Sequence, residues 1–195
     1  MPEVIEAKKD QIHRVACKLF RDRGFHGASI RDIAEGVGLL GGSLYNHIAS
    51  KDDLLWEIVV DAAERFFAAI TPIADSEMGS LHKLRAAITA HVGVIASDMD
   101  AAAVYTVEWR HLSDARRAAF TKRRDEYQAM FRKLVRAAIH EGYIAAPDEA
   151  TATLFILSTL NYMFTWYRAD GPMTPEDVGR IMSDYILDGL KRRTA

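Results

Sequence analysis

The chain has 195 residues, 49% of them hydrophobic, a formal net charge of −2 and a single cysteine. That length fits one large domain or a small domain joined to a larger one, with enough apolar residues to bury a sizeable core. The mild acidity excludes a protein that coats nucleic acid over its whole surface, one cysteine excludes a disulfide scaffold, and no run approaches the about 18 apolar residues of a membrane helix.

The charge is uneven: residues 1–51 hold eight Lys/Arg against six Asp/Glu, and residues 52–195 hold 17 against 21. The opening "MPEVIEAKKDQ" is charged and has no apolar segment of the signal-peptide type. Together with the lone Cys17, read as a small buried hydrophobe, it leads to the expectation of a soluble, cytoplasmic protein.

Helical periodicity runs throughout, without alternation of the strand type. A first helix is expected over 7–23, with Ile12, Val15, Ala16, Leu19 and Phe20 on one face. After the turn "RGFHGAS", Ser29 and Asp32 form a capping-box pattern. They open a short helix whose apolar face is Ile30, Ile33, Ala34 and Val37. Gly36 and Gly38 close it. A third short helix starts at Gly41 or Gly42 and ends near His47 or Ile48. Ser50 with Asp53 caps a long helix reaching Thr71-Pro72. Further helices are expected over 81–97, 101–111, from "HLSD" to His140, over 149–168, and after Thr174-Pro175. The reading is all-α with about nine helices. A composition shift near residue 50 divides the chain into a head, 1–50, and a larger body, 51–195, sharing the helix that starts at Ser50.

Two short helices joined by a glycine-bearing turn and backed by a third describe a helix-turn-helix, in which the second helix enters the major groove. Glycine in a helix costs about 1 kcal/mol relative to alanine, so the pair Gly41-Gly42 needs a reason. Heading a recognition helix, it would let the backbone approach DNA closely and offer free N–H groups to phosphate. The alternative is a flexible N-cap. Leu44, Ile48, Leu54 and Leu55 read as core, and of Leu39 and Leu40 at least one should pack inward, with a base contact from Leu40 open.

The stretch "ACKLFRDRGFHGASIRDIAEGVGLLGGSLYNHIASKDDLL" resembles the N-terminal DNA-binding domain of the TetR family of bacterial transcriptional regulators. The carrying features are "LF..RGF.G.S...IA...G", a glycine turn and "LY.H...K..L". A hydroxyl-bearing residue is usual where Gly41 stands, and Phe where Ile48 stands. The resemblance implies a homodimer on a palindromic double-stranded DNA operator and a body that holds a small effector. It implies DNA contacts at Ser29, Arg31, Gly41, Gly42, Ser43, Tyr45, Asn46, His47 and Lys51. Their chemistry fits: Arg31 is a long donor beside the groove, Tyr45 brings a ring for a thymine methyl and a hydroxyl for phosphate, and Asn46 can pair with adenine or merely cap. His47 and Lys51 match the family's phosphate contacts.

In the body, aromatic residues gather in 104–111 and 154–174. Tyr105, Trp109, Arg110, Phe155, Asn161, Tyr162, Phe164, Trp166 and Arg168 form the expected effector site, mostly apolar with a few polar anchors. Core or subunit interface is the plainer reading of each aromatic. The tail "WYRADGPMTPEDVGRIMSDYILDGL" is similar to a TetR branch that governs sterol-ring and fatty-acid catabolism and answers to acyl-CoA thioesters. Arg116, Arg117, Lys122, Arg123 and Arg124 then offer counter-charge, or are a solvated face balanced by Asp114, Asp125 and Glu126. The last two helices should carry the dimer through Leu154, Leu157, Leu160, Ile181, Met182, Tyr185, Ile186 and Leu190, unless these stripes close the monomer's own core.

No catalytic, cofactor or metal set emerges. Glu108 and His111 make one Glu-x-x-His pair where a di-iron bundle needs two, and nucleophile and phosphate-loop motifs are missing. The expected function is a DNA-binding regulator, a repressor released by a small hydrophobic effector, with acyl-CoA thioesters as candidates. A regulator of efflux or stress genes sensing neutral compounds is the alternative, and a helical enzyme or adaptor a remote one.

Overall fold

A computed structural model describes residues 2–145 and 148–190, with side chains from Lys8 onward. Among these residues there are nine α-helices, two 3-10 turns and no strand. The α-helices are α1 (Pro2–Gly27), α2 (Ile30–Gly36), α3 (Gly41–Leu44), α4 (Lys51–Asp75), α5 (Ser80–Ser97), α6 (Met99–Val107), α7 (Asp114–His140), α8 (Glu149–Asn161) and α9 (Pro175–Gly189). The 3-10 turns cover Glu108–His111 and Met163–Thr165. No single helix among them is long and apolar enough to cross a membrane.

The capping signals act as the spacing requires. Ser29 and Asp32 exchange their side-chain and backbone bonds at the start of α2, as Thr174 and Asp177 do at α9. At α4, Asp53 N–H donates to Ser50 Oγ at 3.0 Å. Five helices differ from expectation. α1 spans Pro2–Gly27, with a kink at Gly24, where 7–23 is expected. α4 runs one turn beyond Pro72, because a proline in the last turn forfeits only one helical bond. The segment expected at 101–111 begins at Met99 and tightens to 3-10 geometry from Glu108. α8 stops at Asn161 and is followed by the Met163–Thr165 turn. α3 is a single turn.

By compactness the chain forms two units. One unit joins the chain up to Ala63 with Met99–Thr121, and the other joins Glu64–Asp98 with the chain from Lys122. α4 and α7 contribute residues to both. In the first unit, Ile12, Ala16 and Phe20 of α1, Ile33 and Ala34 of α2, Leu44 of α3, and Ile48, Leu54 and Leu55 are all buried. Gly36 lies so close to Val15 that a Cβ there would stand 2.6 Å from Val15 Cγ1. α6 packs on α1, and Arg21 forms an ion pair with Asp100.

In the second unit, α9 lies hard against α5. A Cβ at Gly179 would meet the Thr89 Cα at 3.0 Å. The core holds Phe66, Ile70, Leu84, Ile88, Phe131, Ile156, Leu160 and Met163. His91 sits fully buried among the rings of Phe66, Tyr127 and Phe131. Asn161 Oδ1 can only accept, so His91 Nε2–H donates to it (3.2 Å), and Nδ1 accepts from the Tyr127 hydroxyl (2.8 Å). Burial pushes the His91 pKa down to about 3.

The native imidazole therefore stays neutral where an unfolded one, with an ordinary value near 6.5, takes a proton. Stability from this site is complete above pH about 6.5 and declines as pH falls toward 3. The expected loss between pH 6.5 and 5 is about 2 kcal/mol. Denaturant unfolding across that range checks it, and His91→Gln should show a shallower decline.

Candidate nucleic-acid interface

The first unit presents a short set of side chains around the turn between α2 and α3. Leu40 is 81% exposed and Tyr45 56% exposed. Arg31, Gly42 and Asn46 are also exposed, while Gly41, Ser43 and His47 are half-buried. Arg31 makes no ion pair among the described residues. Of the two turn leucines, Leu39 is half-buried and Leu40 is uncovered. Leu40 contributes little to the protomer core, so its apolar surface is open to another body.

Gly41 and Gly42 are the informative residues. Neither has a positive φ; the positive values belong to Gly24, Gly38 and Gly142. Nor is either crowded, since a Cβ on Gly41 or Gly42 would meet nothing within 4 Å. The free protein therefore requires glycine at neither place, for backbone freedom or for room.

Ser29 and Lys51 have internal duties. Ser29 Oγ accepts from Asp32 N–H and donates to Asp32 Oδ2, so its hydroxyl is committed to the α2 cap. Lys51 Nζ donates to the carbonyls of Phe25 (2.7 Å) and Ala28 (2.8 Å) and lies 4.3 Å from the centre of the Phe25 ring. Burial lowers its pKa. These two bonds leave one ammonium proton for an outside acceptor, such as phosphate. Lys51→Met is expected to lower the stability of this unit by about 2 kcal/mol, the scale of lost charge-assisted bonds to partly hydrated carbonyls. Guanidinium unfolding measures it.

The start of α4 is stapled to the start of α7. Arg116 forms ion pairs with both Asp52 and Asp53, and Ser113 N–H donates to Asp52 Oδ1 at 3.1 Å. The Ser50 hydroxyl and then Arg116 hold the Asp53 carboxyl below its usual range. Arg117 pairs with Asp114, and Arg123 with Glu64 and Glu126. Among the described residues no three His, Cys, Asp or Glu side chains gather as a metal-holding group.

The expected effector residues fall into both units. Tyr105 is buried in α6, its ring edge-on to Phe120, and Trp109 is half-buried beside the same ring; Arg110 is exposed. In the second unit Phe155, Tyr162 and Trp166 each have about half their surface exposed. Tyr162 stacks on the half-buried Phe164, Asn161 is bound to His91, and Arg168 lies exposed beside Asp170 at 3.2 Å. An open groove of ≈ 500 Å³ in that unit is lined by other residues, among them Met78, Lys83, Met130, Lys133 and Leu134. Sequence reasoning missed it because its walls come from three helix segments of ordinary composition.

Of the expected dimer residues, Leu157, Leu160, Met182 and Ile186 are buried within the single chain. α5 packs against both helices that carry them. Ile181 and Leu190 are half-buried. Leu154 (50%) and Tyr185 (77%) are exposed.

Two family models match this chain. Residues 12–58 match the bacterial regulatory proteins of the tetR family, and residues 78–190 match the tetracyclin repressor-like C-terminal domain. The chain belongs to the TetR family. It is a TetR-type transcriptional regulator, and the helix-turn-helix α2–α3 is that family's DNA-binding element. The chain is 28% identical over 190 residues to the HTH-type transcriptional repressor KstR2 of Mycobacterium tuberculosis, covering 96% of this chain and 95% of that protein. The solved structure of that ketosteroid transcriptional regulator superposes with a TM-score of 0.88 at 29% identity, covering 95% of both chains. The TetR regulator PfmR of Thermus thermophilus gives 0.82 at 31% identity, over 93% of this chain and 100% of that one. AibR, solved with isovaleryl coenzyme A and operator DNA, shares the fold with a TM-score of 0.80 at 22% identity, over 91% and 97%.

Proposed function

We propose that this TetR-family protein is a repressor that binds a palindromic operator as a homodimer and is released by a small effector, with acyl-CoA thioesters the favoured class. The observation that carries operator binding is the uncrowded Gly41-Gly42 start of α3, flanked by outward-facing Leu40, Arg31, Tyr45 and Asn46. In this reading Leu40 and Tyr45 meet thymine methyls, Arg31 and Asn46 reach base edges, and Ser43, His47 and the remaining proton of Lys51 serve phosphate. Ser29 acts through the α2 cap. The functional division is a DNA-binding part up to about residue 50 and an effector-binding and dimerising part beyond it.

The effector assignment draws on the acyl-CoA-type tail of the sequence, on similarity to KstR2, and on the AibR complex as a case of this fold holding an acyl-CoA. The groove beside Met130 and Leu134, with the ammonium groups of Lys83 and Lys133, has the size and mixed lining of a small-molecule site. Release requires the effector to prefer the state that does not bind DNA. A differential of about 3 kcal/mol gives a loss of operator affinity of roughly a hundredfold. α4, which begins in the DNA-binding part and continues through the body, is the natural carrier of that change.

Selection from a pool of randomised duplex DNA tests the first half. Enrichment of an inverted repeat with half-sites about one helical turn apart is expected; no enrichment removes the operator reading. Thermal unfolding with CoA, short, long and aromatic acyl-CoAs and the matching free acids tests the second. A ligand at a hundred times its dissociation constant adds about 2.7 kcal/mol. Stabilisation by one thioester class but not by its acid is expected; a response to neutral hydrophobic compounds alone would favour the efflux or stress reading.

A further inference from the structure

The turn that leads into α2 is gripped by a residue from far along the chain. Gly24 takes φ +72°, and the peptide groups that follow are held from two sides. Phe25 N–H donates to Glu108 Oε2 at 2.7 Å. Its carbonyl, and that of Ala28, accept from Lys51. Glu108 belongs to the 3-10 turn Glu108–His111 and is buried. The Phe25 amide is a hydrogen-bond donor of the kind a carboxylate withdrawn from water needs, and His111 Nε2 lies 3.7 Å from the same oxygen. The Phe25 ring stacks on His111, and the His26 Nε2 lies 3.1 Å from His111 Nδ1. All of these residues lie in one unit.

We propose that Glu108 is a positioning residue for operator binding. It touches no DNA, yet it fixes the turn on which α2, with Arg31, is mounted. Ser29 caps α2 four residues after Phe25, and α2 packs on α3, so rotation of the Phe25 peptide carries the recognition residues with it. Glu108 is also the C-terminal neighbour of α6, between Tyr105 and Trp109. A displacement of the Met99–Thr121 segment reaches the DNA-binding residues through this bond, by a route separate from α4. The proposal rests on the operator reading above.

The test compares wild type, Glu108→Gln and Glu108→Ala, using the duplex enriched by the wild-type protein, with hydrogen exchange at the Phe25 amide as a second readout. Gln keeps an acceptor oxygen for Phe25 N–H; Ala leaves that donor without a partner. The Ala variant is expected to bind operator about tenfold or more weakly while folded, with Phe25 exchange accelerated. The Gln variant should return to within about threefold of wild type. A folded Ala variant with wild-type affinity overturns the proposal, as does a Gln variant as weak as Ala, or a Phe25 amide that exchanges in wild type like an open loop. If the Ala variant does not fold, Gln affinity and wild-type Phe25 exchange decide. Failure of the wild-type protein to enrich any duplex removes the operator reading itself. Binding that Ala leaves unchanged removes only the part assigned to Glu108.

Discussion

Replacing Gly42 with leucine is expected to abolish operator binding while leaving the free protein at least as stable as before. The two effects separate because nothing inside the molecule uses the glycine. Its φ is not positive, and an added Cβ meets no atom within 4 Å. Gly42→Ala should therefore stabilise the fold by up to about 1 kcal/mol through helix propensity alone. In the proposed reading the same space is where the backbone of α3 approaches the groove on DNA. A leucine side chain there holds the recognition turn off the duplex and loosens several contacts at once. The expected loss is at least about a hundredfold, or roughly 2.7 kcal/mol, with the alanine variant intermediate. Unfolding midpoint and operator affinity on the same preparations provide the check. A leucine variant that loses both together would mean that the glycine serves the fold, and one that loses neither would move the DNA interface elsewhere.

The second large effect is expected from Leu154→Glu combined with Tyr185→Glu, which place like charges on the face proposed to pair. Both side chains lie largely outside the protomer core, so the pair of changes should leave the unfolding of the single chain within about 0.5 kcal/mol of wild type. Covered apolar residues at a two-fold interface meet their own copies or near neighbours, and a charge there has no partner and no water. The variant is expected to sediment as a monomer. Operator binding should fall by about a hundredfold or more, because each half-site must then be held without its neighbour. A dimer that persists through both changes would place the interface on another face.

How much of this was legible in the sequence depends on how local the determining physics is. The helix caps at Ser29, Ser50 and Thr174 are local events within a single turn and were readable directly. So was the helical character of the whole chain, since every core face repeats at helical spacing. The exposure of Arg31, Tyr45 and Asn46 followed from placing the turn and the start of the short helix; which of Leu39 and Leu40 is uncovered did not. Residues whose roles depend on distant neighbours were not readable. Lys51 looks like a phosphate ligand alone until Phe25 and Ala28 are seen to take two of its three ammonium protons. Glu108 looks like half of an abandoned metal motif until the Phe25 amide is seen against it. The apolar stripes on α8 and α9 could equally have faced outward or inward. Only the packing of α5 against α8 and α9 puts Leu160, Met182 and Ile186 inside the protomer, with Leu154 and Tyr185 exposed. The attachment of Met99–Thr121 to the DNA-binding unit has no sequence signal at all, because it is a contact between segments about 80 residues apart.

The Arg116 staple changes how ionic strength acts on this protein. Salt weakens operator binding in any such regulator by restoring counterions to the phosphates. Here Arg116, Asp52 and Asp53 are partly exposed, within reach of the same screening, and they brace the helix that follows the DNA-binding residues. Added salt thus relaxes the binding surface while it competes for the duplex. A plot of log affinity against log salt concentration will be steeper than the number of phosphates touched, and the excess slope belongs to the protein rather than to the DNA. If an effector releases the protein as proposed, one assayed in concentrated buffer would meet a molecule already part-way toward release.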